Sequence, residues 1–380
     1  MAESEAHLSA HRDRSTLAYI VLLILAAVDA AGYSIISPVG PEIARREGIG
    51  PGAIGALVAT FPLGIMVGFV LAAAGIKRGR TAWVLVAGLG ALAVGSMGFV
   101  FGSSLNTYFI ARTLMGLGSG GVWMGVTFNT LERWPGQEYM CMSRIFAAYS
   151  IGGLVGPAFG ALGGIARPFG AFALVVLGCI VLVVAMGEAP TPRPFSPDRS
   201  ALRLPGFWLA SAGALFAYLA LGVIEGVLPI HFGTELPQIG IGVVYALMSL
   251  VVAVAAALAA RFMPRRVLGG ALALVVLGIA VAGAADQIPA WMVALAIAGA
   301  GIGLATTGSV GILLEGVPTE RIVTAMVVWS QIGIVGYFLG PLTAGVVAET
   351  FGYAAIGIVP LLAAIPVLAL ATRKASRART

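Results

Sequence analysis

Long apolar runs recur along almost the whole of this 380-residue chain. Hydrophobic residues make up 59% of the sequence and charged residues only 10%, a composition that excludes an ordinary soluble domain. A helix of about 20 apolar residues crosses the ~30 Å hydrocarbon core of a bilayer. We count twelve such runs, at residues 16–41, 53–75, 81–101, 107–131, 143–165, 169–187, 206–230, 238–260, 267–285, 290–314, 322–347 and 353–372. The sequence therefore predicts an all-α integral membrane protein with twelve transmembrane helices.

A glycine–proline signature occurs twice, in the fifth and the eleventh of these runs. The two copies comprise Gly152, Gly156, Pro157 and Gly160, and Gly340 and Pro341. Their Gly-Pro steps lie 184 positions apart, about half the chain length. This offset predicts two pseudo-symmetric six-helix bundles, an organisation typical of membrane transporters. Clustered small residues also let membrane helices approach closely, so the segment is a candidate for a bent, moving contact.

A proline-rich polar stretch divides the two predicted bundles. It contains four prolines between residues 190 and 197 and reads as an extended linker. The predicted organisation is a cytoplasmic tail at 1–15, a first bundle at 16–187, a linker at 188–205, a second bundle at 206–372 and a cytoplasmic tail at 373–380.

Basic residues predict the orientation of the chain in the membrane. An even number of crossings places both termini on one side, and 18 of the 22 Lys and Arg residues then fall on that side. Because cytoplasmic loops are enriched in Lys and Arg, we predict a multi-pass protein of the cytoplasmic (inner) membrane with both termini cytoplasmic. The net charge of +6 follows from this bias and requires no nucleic-acid partner.

Four segments together resemble the major facilitator superfamily over essentially the whole chain. They are the glycine–proline signature of the fifth run, Arg112-Thr-Leu-Met-Gly-Leu-Gly118 in the fourth run, Gly32-Tyr-Ser-Ile-Ile-Ser-Pro38 in the first run, and the basic loop Lys77-Arg-Gly-Arg80. The Gly-x-x-x-Gly-Pro signature is similar to that of the drug–proton antiporters, the exporters of the superfamily. The resemblance implies the major facilitator fold and transport of a small molecule by alternating access.

The basic loop departs from the family pattern at one position. The loop of the superfamily reads Gly-x-x-x-Asp-Arg-x-Gly-Arg, whereas Ile76 stands here in place of the acidic residue. Gating residues implied by the resemblance are Lys77, Arg78, Gly79 and Arg80, which can engage helix ends or lipid phosphates.

Apart from Arg144 at the very start of its run, three ionisable residues lie inside the apolar runs, namely Asp29, Arg112 and Glu225. Such groups are costly in lipid and default to functional candidates. Asp29 lies about 13 residues into the first run, roughly 20 Å from its start, which places it near mid-membrane. We predict that Asp29 carries a proton, that Arg112 modulates it and that Glu225 is an auxiliary acidic site.

Each charged residue also has an alternative interpretation. Asp29 and Arg112 could form a static ion pair between the first and fourth helices, instead of a pair that breaks and re-forms with protonation. Glu225 could be a cation contact, a second protonation site or a solvated helix end.

Polar and aromatic side chains that could line a substrate cavity are Tyr33, Trp123, Asn129, Tyr218, Tyr245, Trp329 and Gln331. Their alternative is a place in the core or against lipid. Two cysteines and three histidines offer neither a disulfide framework nor a metal cluster. The loops contain no nucleophile–base pair and no nucleotide-binding motif. We therefore expect no enzyme activity, no cofactor and no metal.

The sequence thus predicts a secondary active transporter, coupled to protons, that exports small amphipathic or drug-like compounds. The expected partners are a small-molecule substrate, protons and membrane lipid, and the expected state is a monomer. Two alternatives stay open: a metabolite importer or uniporter of the same fold, and a non-transporting membrane sensor.

Overall fold

The computed structural model describes residues 2–134, 137–187, 198–259, 262–318 and 321–377, and these ranges are helical throughout apart from short connections. The α-helices are α1 (Ala2–Ser34), α2 (Ile36–Glu47), α3 (Pro51–Ile76), α4 (Thr81–Phe101), α5 (Leu105–Arg133), α6 (Glu138–Gly160), α7 (Ala166–Met186), α8 (Pro205–Gly226), α9 (Leu228–Phe232), α10 (Gln238–Ala259), α11 (Pro264–Ala284), α12 (Ile288–Gly316), α13 (Ile322–Phe351) and α14 (Ile358–Arg377). Short 3-10 helices precede α8 and α14, at Arg199–Arg203 and Tyr353–Ala355.

Ten helical segments in the described ranges are long and apolar enough to cross a membrane. They match ten of the twelve predicted runs. The fourth and fifth runs, which form α5 and α6, are not among them. α5 carries Arg112, Asn129, Glu132 and Arg133 among its glycines, and these residues lower its hydropathy. The all-helical membrane architecture is confirmed, whereas the count of twelve stays a prediction.

Proline interrupts the first and the seventh predicted helix. α1 ends at Ser34 and α2 starts at Ile36, because Pro38 lacks the N–H that would continue the ladder to the carbonyl of Ser34. The seventh run divides in the same way into α8 and α9 around Val227, where Pro229 follows. At the other end, α1 begins at Ala2, so the segment predicted as an N-terminal tail continues the first helix.

The chain groups into two compact units. The first comprises residues 1–35, 64–159 and 165–195. In it, α4 packs against α5 and α7, and α1 packs against α5 and α7. The rings of Phe99 and Phe169 stack with centroids 4.0 Å apart in its core.

The second unit comprises residues 36–63, 160–164 and 196–380. In it, α8 packs against α12, α13 and α14, and α12 also packs on α10 and α11. α2 belongs to this unit because it contacts α8, α9 and α10. The compact units therefore do not coincide with the predicted bundles 16–187 and 206–372. Residues 188–197 of the predicted linker and 378–380 of the predicted tail lie outside the described residues.

Candidate functional site

Asp29 is a buried carboxylate in the middle of a membrane-spanning helix. Only 2% of its surface is exposed. The α1–α2 segment that can span the membrane is Thr16–Glu47, so Asp29 lies roughly 20 Å along it from Thr16. The side chain of Ser119, on α5, lies close to the carboxylate. The Oδ1 atom of Asp29 has no hydrogen-bond partner among the described residues.

Arg112 is fully buried on α5, in the same unit. Its two terminal nitrogens donate to the carbonyl oxygens of Gly32, at 3.0 Å, and Tyr33, at 2.7 Å. These carbonyls belong to the last turn of α1, where the helix dipole favours a positive charge. Arg112 therefore caps the broken end of α1. In the described part of the chain no ion pair joins Arg112 to Asp29, so the static pair is not the arrangement found.

The glycine–proline signature of the fifth run lies on α6, where its glycines form a close contact with α1. A Cβ atom at Gly152 would collide with the carbonyl oxygen of Ala27, and one at Gly156 would collide with Ser34. Pro157 leaves the carbonyl of Gly153 without its helical donor. The hydroxyl of Ser34 lies 3.4 Å from that oxygen and in position to donate to it. The signature thus places two backbones in contact beside the break in α1.

The second copy of the signature makes the corresponding contact in the other unit. Cβ atoms at Gly336 and Gly340, on α13, would collide with the carbonyl oxygens of Leu215 and Leu219, on α8. The glycines are spaced four residues apart in both copies and meet the first long helix of each half. The predicted internal repeat is therefore present in the packing as well as in the sequence.

Glu225 lies near the end of α8 and is 4% exposed. Its Oε2 atom accepts a hydrogen bond of 3.0 Å from the phenol of Tyr337, on α13. The phenol of Tyr245, on α10, donates to the carbonyl of Ile224, the residue before it. Glu225 therefore does not lie at a solvated helix end. Glu225 is a buried acid held by a tyrosine.

The basic loop and its neighbour Ile76 differ in exposure. The side chains of Lys77, Arg78 and Arg80 are exposed, whereas Ile76 is buried at the end of α3. The φ angle of Gly79 is +69°, in the left-handed region that glycine adopts without strain.

A nearby acid was not predicted from the sequence. The buried carboxylate of Glu132 accepts a 3.1 Å hydrogen bond from the hydroxyl of Thr81, the first residue of α4. Because Glu132 follows the end of an apolar run, the sequence places it at a surface. The packing of α4 on α5 covers it.

The predicted cavity residues separate into two groups. Asn129, Tyr245 and Trp329 are buried and hydrogen-bonded within their own units, and Tyr33 is also buried. These four side chains offer no open surface here. Tyr218, Gln331 and Trp123 are half-buried. The ring of Trp123 lies 5.3 Å from Phe146 and 5.2 Å from Tyr149, centroid to centroid.

Two polar contacts in the second unit were also not predicted from the sequence. The carboxylate of Glu349, near the end of α13, accepts a 3.0 Å hydrogen bond from the N–H of Gly52, at the start of α3. The side chain of Gln238, the first residue of α10, donates to the carbonyls of Gly160 and Gly164 at 2.7 and 2.9 Å. Both contacts join residues far apart in sequence, which no local pattern indicates.

Comparison with known proteins identifies the family. The sequence profile described as the Major Facilitator Superfamily matches residues 22–263, more than half of the chain. The chain belongs to the major facilitator superfamily. Membership and architecture together indicate a multi-pass membrane transporter. A search of curated protein sequences finds no match.

Several solved transporter structures are similar to this chain over nearly its full length. A bacterial homologue of the human lysosomal transporter Spinster, inward-facing and unoccupied, is 14% identical with a TM-score of 0.73, covering 94% of this chain and 96% of that one. A D-xylose–proton symporter is 14% identical with a TM-score of 0.74, covering 93% and 97%. The human organic anion transporter MFSD10 is 17% identical with a TM-score of 0.65, covering 94% and 99%. At these identities the similarity shows the fold alone.

Proposed function

We propose that this transporter is a proton-coupled exporter of small amphipathic compounds, with twelve transmembrane helices once α5 and α6 are counted. The observation that carries the proposal is Asp29, a buried acid with one oxygen that no described residue engages. A buried acid without a fixed partner can take up and release a proton without displacing a protein group. An ionisable group is costly inside a membrane, so its presence there indicates a functional role.

Arg112 has a positional role in this mechanism. By holding the carbonyls of Gly32 and Tyr33, it supports the end of α1 that follows Asp29. A change in the charge of Asp29 alters the field at this helix end. We propose that the α1–α2 break then adjusts against the glycine contact at Gly152 and Gly156, which couples protonation to movement of α1.

The aromatic group formed by Trp123, Phe146 and Tyr149 supports the proposal that the substrate is amphipathic. Trp123 lies one helical turn after Ser119 on α5, and residues spaced by four share a helix face. The ring of Trp123 is therefore on the face of α5 that approaches Asp29 through Ser119. The rings of Phe146 and Tyr149, on α6, pack against it. Aromatic faces next to a few polar groups are suited to binding apolar organic molecules.

The test is a substrate screen in proteoliposomes, with and without an imposed pH gradient. Export coupled to protons predicts that substrate accumulates opposite to the proton flow and that the Asp29→Asn variant loses this accumulation while it still binds substrate. Accumulation in the same direction as the protons would instead support an importer. Accumulation that does not depend on the gradient, or on Asp29, would contradict proton coupling through this residue.

The orientation is also a proposal, and it has its own test. We propose that Lys77, Arg133 and Arg377 face the cytoplasm, because basic residues favour that side. Single cysteines at these positions should react with a membrane-impermeant thiol reagent only after cells are opened. The native Cys141 and Cys179 are buried and should contribute little background. Labelling of any of the three positions in intact cells would overturn the orientation.

A further inference from the structure

A groove of about 260 Å³ lies in the second unit where α8, α11, α12 and α14 meet. Its lining is apolar except for one charged residue, Arg265. Leu268 and Leu272, on α11, continue the lining away from Arg265, and Leu368, on α14, faces them. The groove therefore combines one cationic end with a hydrocarbon wall.

A missing side chain keeps the groove open. Gly269 lines it, and a Cβ atom at this position would meet nothing within 4 Å. Arg265 and Gly269 are four residues apart and share one face of α11. A larger residue at 269 would project into the space directly below the guanidinium group. Gly270 has the same free space but does not line the groove, so it provides a matched control.

The position of Arg265 corresponds to the headgroup level of a bilayer. It is the second residue of α11, a helix that can span the membrane from Pro264 to Ala284. Its side chain is exposed, and no described residue forms a hydrogen bond or an ion pair with it. The N-terminal turn of a helix adds its own attraction for an anion. Leu272 lies seven residues further, roughly 10 Å deeper.

We propose that this groove binds an anionic phospholipid of the surrounding bilayer. The phosphate contacts Arg265 at the start of α11, and one acyl chain lies against Leu268 and Leu272. A free phosphate would leave the apolar wall uncovered, and a zwitterionic lipid would offset part of the charge attraction. In the proposed orientation this end of α11 is in the cytoplasmic leaflet, where anionic lipids and basic residues attract each other.

Native mass spectrometry of the purified full-length protein tests the site. The probes are dioleoyl phosphatidylglycerol, dioleoyl phosphatidylcholine and glycerol 3-phosphate, each titrated separately. We expect one tightly retained phosphatidylglycerol, weaker retention of phosphatidylcholine and no competition by glycerol 3-phosphate. Arg265→Gln should weaken retention of this one lipid by roughly fivefold to tenfold. Gly269→Leu should abolish it by filling the groove.

The neighbouring residues serve as controls. Arg266→Gln removes the same charge beside the groove, and Gly270→Leu adds the same bulk outside it, so both should retain the lipid as the unchanged protein does. Equal losses in Arg265→Gln and Arg266→Gln would show general attraction of a basic surface and overturn the proposal. Retention of the lipid by a folded Gly269→Leu variant, or competition by glycerol 3-phosphate, would overturn the acyl-chain site.

Discussion

Asp29 and Glu225 are both buried acids in the first long helix of a half, but they are held differently. Asp29 lies near Ser119 and keeps one oxygen without a partner among the described residues. Glu225 accepts a hydrogen bond from the phenol of Tyr337. An acid with an open oxygen can exchange a proton or a ligand, whereas an acid bound to tyrosine joins two helices. Repeated helices can therefore carry different chemistry.

Their distances from the helix breaks also differ. Asp29 lies six residues before the turn at Ile35, and Glu225 lies two residues before the break at Val227. By contrast, the glycine contacts of the two halves correspond closely. The packing repeats, while the acids do not.

The largest expected effect separates the two acids directly. Asp29→Asn should reduce accumulation of substrate against a gradient at least tenfold, whereas Glu225→Gln should keep accumulation within about twofold. The amide preserves shape and hydrogen bonding in both variants and removes only titration. Initial rates in proteoliposomes with an imposed pH gradient provide the measurement. Equal losses of substrate accumulation in the two variants would mean that both acids carry protons.

The second prediction concerns the glycine contacts. Gly156→Leu should abolish transport or admit a proton leak, because its side chain would meet the backbone of α1 and overpacking costs about 1–3 kcal/mol or more. Gly340→Leu should fail in the same way against α8. Gly153→Leu is the matched control, since a Cβ at Gly153 meets nothing within 4 Å. Unchanged transport by a correctly inserted Gly156→Leu variant would show that the contact takes no part in movement.

Stability should distinguish the tyrosine-bound acid from the other. Tyr337→Phe removes the donor to Glu225 and leaves a buried acceptor, which costs about 1–3 kcal/mol. Ser119→Ala should cost less, because Asp29 is not held as closely. Melting temperatures of the purified variants in one detergent measure the difference. A larger fall in melting temperature for Ser119→Ala than for Tyr337→Phe would mean that Asp29, and not Glu225, is the acid held by its neighbour.

A third, exposed acid provides a milder comparison. The carboxylate of Glu349 caps the start of α3, an arrangement worth about 0.3–1 kcal/mol. Glu349→Gln should therefore increase thiol labelling of a cysteine at the buried Ala348 by roughly twofold to fivefold. Glu42→Gln, at a half-buried acid of the same unit that pairs with Arg45, should leave the labelling unchanged. No change with Glu349→Gln would show that the charge does not hold this contact.

The smallest effect is expected at Asp198, which caps the 3-10 helix and lies 3.1 Å from Arg321. Hydrogen bonding by Ser200, together with the Arg321 guanidinium, holds the pKa of Asp198 below its ordinary value. A lowered pKa stabilises the folded form above the ordinary value of about 3.9, and this contribution is lost as the pH falls through the lowered pKa.

Amide hydrogen exchange at Ser200 measures this contribution. Exchange should be faster in Asp198→Asn than in the unchanged protein at pH 7, and the two rates should approach each other below about pH 4. Asp286→Asn is the exposed control. A difference between Asp198→Asn and the unchanged protein that does not depend on pH would exclude the charge of Asp198 as its cause.

The sequence predicted the class of fold because its strongest signals are local or periodic. Apolar runs of sufficient length indicate membrane helices, and the repeat at residues 156 and 340 indicates a duplicated unit. A single ionisable residue in an apolar run, such as Asp29, stands out for the same reason. The breaks at Ile35 and Val227 could also have been expected from Pro38 and Pro229, since proline removes a helical donor.

Partners that are distant in sequence were decided by the tertiary structure. No spacing indicates that Arg112 binds carbonyls of α1 instead of Asp29, or that Tyr337 holds Glu225. Glu132 reads as a surface residue until α4 covers it. Apolar length and periodicity determine that a segment is a helix in a membrane. The crossing of helices far apart in the chain determines which buried polar atoms meet, and so which acid keeps an open oxygen.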